Sequence, residues 1–457
     1  REAWKRGGRG YTLKGVGLDR RAGAAIVMDV ASCSAVGYPT CLARRTSALT
    51  GAGTPQGLDG QLSPVRPFDA NKDKQKDKSS SVGAGAGARG RGGRRRRGDV
   101  DEDDDACQIL ELCRDLNNAR SKACVYDKET YEERKANVFA YIKLLHKVCE
   151  TEGEGEGENL PGKMVVAFKW TTHVTATKGA KEYKLKKMIQ ELLMQTAYFA
   201  LFCREEALGR LDSKSEEEER EREKKDEKER RLEDIETCKK VVQELREAAG
   251  ALKASADYFV HKRDTMGVKQ GYDVPSEVCV SMCRCLSQVC LAEAQLVTCF
   301  TAQLKGLKKH LIASLYNGAT SFFQEASQEI KGNLSEFNEV SDNLMKYLAF
   351  MSWMSTARSV EQNALHLEEE EKVGEAITTF RLSFKFVKKC EPIAQDEKAW
   401  MDVYNGEVRR VCAELDKSRK SNQIVYFQSE SQHAAGCPDP KQVVSPIPFE
   451  ILSAGKA

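Results

Sequence analysis

From Ala106 onward, apolar residues recur at three- and four-residue intervals, the period of helices that bury one stripe. "CQILELCRDL" puts Ile109, Leu110, Cys113 and Leu116 on one stripe, and "YEERKANVFAYIKLLHKVC" repeats it with Val138, Tyr141, Ile142 and Leu145. After the Gly/Glu loop "TEGEGEGENLPG", "VVAFKW" (Val165 to Trp170) leads into a long predicted helix, "YKLKKMIQELLMQTAYFALFCREEAL". Leu185, Ile189, Leu192, Leu193, Tyr198 and Leu201 face inward on it. Ser215 to Glu236 is almost wholly charged, with Glu and Lys/Arg at i,i+4. That pattern predicts a solvated helical insertion over 213–236. The apolar period resumes at "TCKKVVQELREAAGALKASADYFV" and continues through "EVCVSMCRCLSQVCLAEAQLVTCFTAQL", "LIASLYNGATSFFQEAS", "NLMKYLAFMSWMSTARSVEQNAL" and "KVGEAITTFRLSFKFVKKC". Strand patterns are minimal, so the predicted fold is all-α.

Small residues inside these helices, as in "LAEAQ" and "NGAT", let neighbouring backbones approach closely, as stacked hairpins require. "ARSVEQNALHLEEEEKVGEAITTFRLSF" resembles a tetratricopeptide hairpin, with Ala357 and Ala364 on its first helix and Gly374, Ala376, Ile377 and Phe380 on its second. No 34-residue period recurs, which predicts a solenoid-like core rather than a regular array. The helical pattern ends before "VVSPIPFE" (Val443 to Glu450), where Pro446 and Pro448 fix φ and remove two donors. This stretch is expected to lie as an extended strap in a groove of its own domain.

Charge divides the chain. Residues 1–100 carry 20 Lys/Arg against 8 Asp/Glu, and the remainder carries 52 against 61. "GAGAGARGRGGRRRRG" and "NKDKQKDKSSS" cannot bury enough apolar surface to offset chain entropy, so 1–103 is expected to be a disordered basic tail ahead of a domain over 104–457. Gly/Arg tracts also bind RNA, a second reading in which the tail is the active part. The start "REAWKRGGRG" lacks an apolar stretch, no run of about 18 apolar residues appears, and the sixteen cysteines lie within helical pattern. Together these predict neither a signal peptide nor a membrane span, and reduced, buried thiols of an intracellular protein.

No chemistry-bearing constellation emerges. Cys279, Cys283, Cys285 and Cys290 fall in continuous helical pattern rather than in the paired knuckles that wrap zinc, and read as a core stripe. The six histidines never pair at i,i+4, and no phosphate-binding glycine loop or nucleophile elbow is present. The carboxylates Glu368 to Glu371 read as a solvated turn. No enzyme, cofactor or metal is predicted.

Several segments, in this order, resemble the Bro-one domain of ALIX-like endosomal sorting adaptors, with BROX as the nearest branch. They are "VVAFKWT", "REAAG", "CLAEAQLVT", "LIASLYNGATSFFQEAS", "MKYLAF", "KVGEAI", "NQIVYFQ" and "VVSPIPFE", spread over residues 106–450. The resemblance implies an elongated, banana-shaped helical domain with a tetratricopeptide-like solenoid core and an extended C-terminal arm. It also implies a non-catalytic scaffold that docks the C-terminal amphipathic helix of an ESCRT-III filament subunit, of the charged multivesicular body protein four type, on the cytoplasmic side of endosomes. A few apolar anchors would dominate such helix-in-groove binding.

Carried over residue by residue, the anchors fall on Phe380, with Ile377 and Phe384 one turn either side, on Ala251 and Ser255, and near Cys238. Three of these are small and would thin the apolar contact, and a one-turn slip toward Leu252 and Phe259 would restore it. A generic helical-repeat interaction module without the ESCRT-III site is the corresponding alternative. If Phe380 only packs the core, Phe380→Asp unfolds the domain; if it docks a partner, binding is lost while melting is unchanged. The chain departs from the branch in ending "SAGKA" without a prenylation cysteine. Lys305, Lys308 and Lys309 read as a solvated helix end, with contact to an anionic membrane as the alternative; nucleic acid is not an expected partner of the helical domain.

Overall fold

The computed structural model describes residues 111, 114–123, 130–153, 168–172, 181–185, 187–212, 225–266, 275–337 and 340–453. The basic Gly/Arg stretch, the acidic run after it and the first half of the charged insertion, 213–224, lie outside these residues.

Beyond a helical segment at 114–123, the chain forms α1 (Tyr131–Gly153), a hairpin of β1 (Phe168–Thr172) and β2 (Lys181–Leu185), α2 (Met188–Asp212), α3 (Glu227–Met266), α4 (Val280–Leu304) and α5 (Lys309–Gly332). It continues with α6 (Asp342–Glu369), α7 (Val373–Lys388), the single turn α8 (Glu391–Ala394), α9 (Lys398–Ser421) and, after an extended arm, the turn α10 (Glu450–Ser453). Each long helix packs on the next from α1 to α7, and α9 packs on α7. The result is the predominantly helical, elongated solenoid that serial stacking of hairpins produces.

Local chemistry sets the helix ends. Thr130 and Glu133 form a reciprocal capping box at the start of α1: the Thr130 amide donates to Glu133 Oε2 at 2.8 Å and the Glu133 amide to Thr130 Oγ1 at 3.3 Å. Asp226 caps α3 by accepting the Glu229 amide at 2.7 Å. At the end of α4, Gly306 takes φ +66° and the Leu307 amide closes on the Ala302 carbonyl at 3.1 Å, a Schellman turn.

One expectation needs correction. Tyr183 and Leu185 belong to a strand rather than to the following helix. Phe168 pairs with Leu185 and Trp170 with Tyr183, and all four point into the core. The signal was the alternation of apolar residues with lysine in "FKW" and "YKL", a period of two. The charged residues from Glu227 onward are helical, as expected, and form the first turns of a forty-residue α3 that runs without a break into the apolar pattern. The helix α4 is long and apolar enough to cross a membrane by composition, and its burial between α3 and α5 accounts for that composition.

Burial on all sides of α4 also explains its cysteines. All eleven described cysteines are free thiols and nine are buried, Cys279, Cys283, Cys285 and Cys290 among them. Burial pushes the Cys279 and Cys283 thiols up to about 12.

Buried charges tie non-adjacent layers together. Glu191 of α2, fully buried, accepts from Arg120 Nε at 2.9 Å, Tyr141 Oη at 3.1 Å and Trp170 Nε1, so the hairpin and α1 are pinned to one carboxylate. Glu293 of α4 takes a two-pronged bond from Arg204 of α2, at 2.8 and 2.6 Å, and a third from Tyr347 of α6. Arg358 and Glu361 of α6 face Glu407 and Arg410 of α9 in a closed square of two positive and two negative groups.

Candidate docking surfaces

The seven residues expected to anchor a partner divide between two helices that are three layers apart. Phe380 and Ile377 of α7 lie inside a small apolar cluster with Ala364, Leu367, Val373, Ala376 and Leu415. Ala251, Leu252, Ser255 and Cys238 of α3 lie in the main core. Phe380, Ala251, Leu252 and Ser255 have no exposed surface, and Cys238 and Ile377 have about one per cent, so in this arrangement these side chains are committed to packing. Phe384 alone is half-buried.

The small residues on α3 have a structural reason. Ala248, Ala249, Ala251, Ser255 and Ala256 are buried where α3 is sandwiched by α2 and α4. The approach is close enough for Ser287 of α4 to donate to the Ala249 carbonyl at 2.8 Å. Larger side chains at 251 and 255 would push these helices apart.

The most developed groove is already filled. Residues 428–449 run without regular structure across α7, α5 and α3, as the prolines predicted. Three glycines, one on each helix, receive the arm's backbone: Gly374 faces Ser429, Gly318 faces Lys441 and Gly250 faces Ile447. A Cβ on any of them would overlap an arm carbonyl. The arm's polar main chain is satisfied by the same helices and by Gln295 of α4. The Ser431 amide donates to the Gly374 carbonyl at 3.3 Å, the Lys441 amide to Ser314 at 2.9 Å and the Ile447 amide to Arg246 at 3.0 Å. Gln295 donates to the Lys441 carbonyl at 2.8 Å and accepts the Val443 amide at 3.1 Å, while Asn317 donates to the Pro438 carbonyl at 2.7 Å and Arg246 Nε to Ser445 at 2.8 Å. Sequence reasoning quoted "REAAG", "AEAQ", "YNGAT" and "VGEA" as signatures and missed that each receives the same strap. The available signal was one glycine recurring at the equivalent height of every second helix.

Gly318→Ala is therefore expected to cost about 1–3 kcal/mol or to lift the arm. The readout is maleimide labelling of Cys437, a half-buried arm thiol 3.9 Å from the Thr356 carbonyl, which should accelerate relative to Cys412. Gly406→Ala on α9, where a Cβ meets open space, should instead stabilise by up to about 1 kcal/mol. Equal labelling of Cys437 in Gly318→Ala and the parent chain would refute the seat.

An open surface lies on the outer face of the second half of α7. Lys385, Lys388 and Lys389 are exposed along it, flanked on both sides by aromatics, of which Phe384, Phe386 and Trp353 are half-buried and Tyr404 is buried. On one flank Phe386 stacks on Trp353 at 5.9 Å, and Lys389 Nζ sits 3.9 Å from the Trp353 ring centre. On the other, Lys388 reaches over Phe384 and Tyr404 at 5.8 and 5.6 Å. Tryptophan, phenylalanine and cations within one patch match the residues that carry binding energy at interfaces.

Of the other sequence candidates, Lys305 and Lys308 are exposed and Lys309 half-buried at the α4–α5 turn, around an exposed Leu307. The hydrogen bond and charge of Lys239 hold the Glu236 carboxyl of α3 down, with lesser help from Lys240 and then from Lys305. Glu368 is not solvated: it accepts from Ser418 of α9, and burial raises its carboxyl. Glu371 is left-handed at φ 62° and closes the α6–α7 turn. Among the described residues no group of three or more His, Cys, Asp or Glu is placed to hold a metal ion.

Comparison with known proteins agrees with this architecture. No curated protein matches the sequence. Three solved structures share the fold: an ALIX BRO1 CHMP4C complex, at 15% identity and TM-score 0.57 over 79% of this chain and 90% of that one; ALIX in complex with the SIVmac239 PYKEVTEDL late domain, at 15% and 0.56 over 75% and 44%; and the Bro1 domain of a study of endosomal targeting, at 16% and 0.54 over 76% and 84%. The chain thus spans less than half of the longer ALIX chain. The family description "BRO1-like domain" matches residues 225–456, from the start of α3 through the arm and its three glycine seats, and the chain belongs to the BRO1-like domain family.

Proposed function

We propose that this chain is a non-catalytic adaptor that docks the C-terminal amphipathic helix of a CHMP4-type ESCRT-III subunit, in endosomal sorting or membrane remodelling at the cytoplasmic face of endosomes. The observation that carries the reading is the aromatic and lysine face of α7, on a fold shared with an ALIX Bro1 domain that was solved as a complex with CHMP4C. Apolar anchors of an amphipathic helix would seat against Phe384, Phe386 and Trp353, and its carboxylates would meet Lys385, Lys388 and Lys389. Phe380 and Ile377 act beneath this face by holding α7 against α6 and α9.

The test is a titration of the full chain with the C-terminal helix peptide of the same organism's ESCRT-III filament subunit. Saturable binding is expected, weakened at least about tenfold by Lys385→Glu combined with Lys389→Glu, since removing charge-assisted contacts of about 1.5 kcal/mol or more has that effect. Both lysines are exposed, so the melting temperature should be unchanged. Binding that ignores the charge reversal would move the site elsewhere. No binding by a folded chain would leave a helical-repeat interaction module with a different partner.

A further inference from the structure

The turn that launches the arm is built unlike the rest of the fold. At the end of α9 the helix widens into a π-turn, Asn422–Tyr426, and Phe427 then adopts φ 53°, ψ 29°, a left-handed conformation that side chains with a Cβ rarely take. The turn is clamped by local bonds. The Phe427 amide donates to the Asn422 carbonyl at 2.7 Å, the Gln428 amide to Asn422 Oδ1 at 2.9 Å, and Asn422 Nδ2 to the Gln428 carbonyl at 2.8 Å. Ile424, Val425 and Phe427 are 74, 62 and 75% exposed, the largest exposures among the big apolar side chains described. Three such residues together at a bend is what a segment looks like when its buried arrangement is a different one.

The arm beyond the bend is suited to exchange. Its hold on α3, α5 and α7 consists mainly of main-chain hydrogen bonds and glycine seats, and Val444 and Phe449 are its only buried large apolar side chains. Every one of these receiving groups is present on any second copy of the chain. On the last turns of α9 Lys417 pairs with Glu414 and Arg419 with Asp416, leaving Lys420 in excess, so little like-charge repulsion opposes an end-to-end approach of two copies.

We propose that Asn422–Gln428 is a hinge through which two copies of this chain exchange arms. With the hinge straightened, the arm of each copy fills the three glycine seats of the other, and Ile424, Val425 and Phe427 of both copies cover one another at the crossing. The strain at Phe427 and the exposed apolar triplet are then removed by the same step, which is how short strained connections favour exchange.

The experiment holds the full chain at high concentration in denaturant just below its unfolding midpoint, removes the denaturant, and measures mass by size-exclusion chromatography with light scattering. A dimer is expected whose fraction rises with concentration and which persists on dilution, because reversal requires reopening. Phe427→Gly, which tolerates the left-handed bend and removes the exposed ring, should leave the monomer folded and cut the dimer at least about tenfold. The exchange itself is read at Arg381, which pairs with Glu430 of the arm, one of its bonds being 2.7 Å. In the Arg381→Lys variant a carbodiimide joins the introduced amine to Glu430. The link should lie within one chain in the monomer and between chains in the isolated dimer, giving a covalent dimer on a denaturing gel. A chain that stays monomeric, a dimer unaffected by Phe427→Gly, or a dimer whose cross-links remain within single chains would each overturn the proposal.

Discussion

Phe380→Asp is expected to abolish cooperative folding of the α6–α7–α9 end of the solenoid rather than to unseat a partner from an intact surface. Phe380 has no exposed atoms and fills a cluster made by Ala364, Leu367, Val373, Ala376, Ile377 and Leu415. Removing a buried phenylalanine costs about 3–5 kcal/mol, and a carboxylate left there without a partner costs several more. Against domain stabilities of about 5–15 kcal/mol, that is most or all of the margin. The measurement is thermal melting followed by helical circular dichroism, with Lys385→Glu combined with Lys389→Glu as the contrast that should melt like the parent. A Phe380→Asp protein that melts normally and yet loses peptide binding would return Phe380 to the docking surface and refute the packing assignment.

The second large effect is expected at the carboxylate that joins three layers. Arg204→Ala removes the guanidinium paired with Glu293, which is fully buried on α4, while the Tyr347 hydroxyl still donates to it. Breaking a buried ion pair by removing one partner costs about 3–5 kcal/mol, mainly because the remaining charge is stranded. Replacing both partners by apolar groups, Arg204→Met with Glu293→Leu, should recover much of that loss. Urea unfolding of the two variants beside the parent separates the cases. If the double variant is as unstable as Arg204→Ala, the pair is not the source of the effect, and the tight packing of α2 on α4 is.

The helices were legible because a 3.6-residue apolar period survives in sequence whatever the stripe packs against. Val138, Tyr141, Ile142 and Leu145 are all buried on α1, and Ala357, Ala364, Ala376 and Ile377 are all buried on α6 and α7. The β1–β2 hairpin was lost because two five-residue strands offer only two apolar positions each, too few to outweigh the long helical run that follows. The burial of the expected anchors was not legible for a different reason. Periodicity shows that Phe380 and Leu252 face inward on their helices, but a core and a binding groove are both apolar. Which of them a stripe meets depends on what the neighbouring helices place there. Conversely, Phe386 and Trp353 sit at the edge of the stripe, where pattern alone assigns no role.

By itself the sequence determined a predominantly helical chain of stacked hairpins, buried thiols within the helices and a terminal segment that two prolines keep extended. Each of these follows from local backbone chemistry or from the spacing of apolar side chains. Only the tertiary structure decided what the glycines at 250, 318 and 374 are for, which carboxylates are buried and paired, and which aromatics reach the surface. A glycine carries no side chain to record what approaches it. A charge reads the same in sequence whether water or an arginine from a distant helix meets it, so both kinds of information arise only when the layers are brought together.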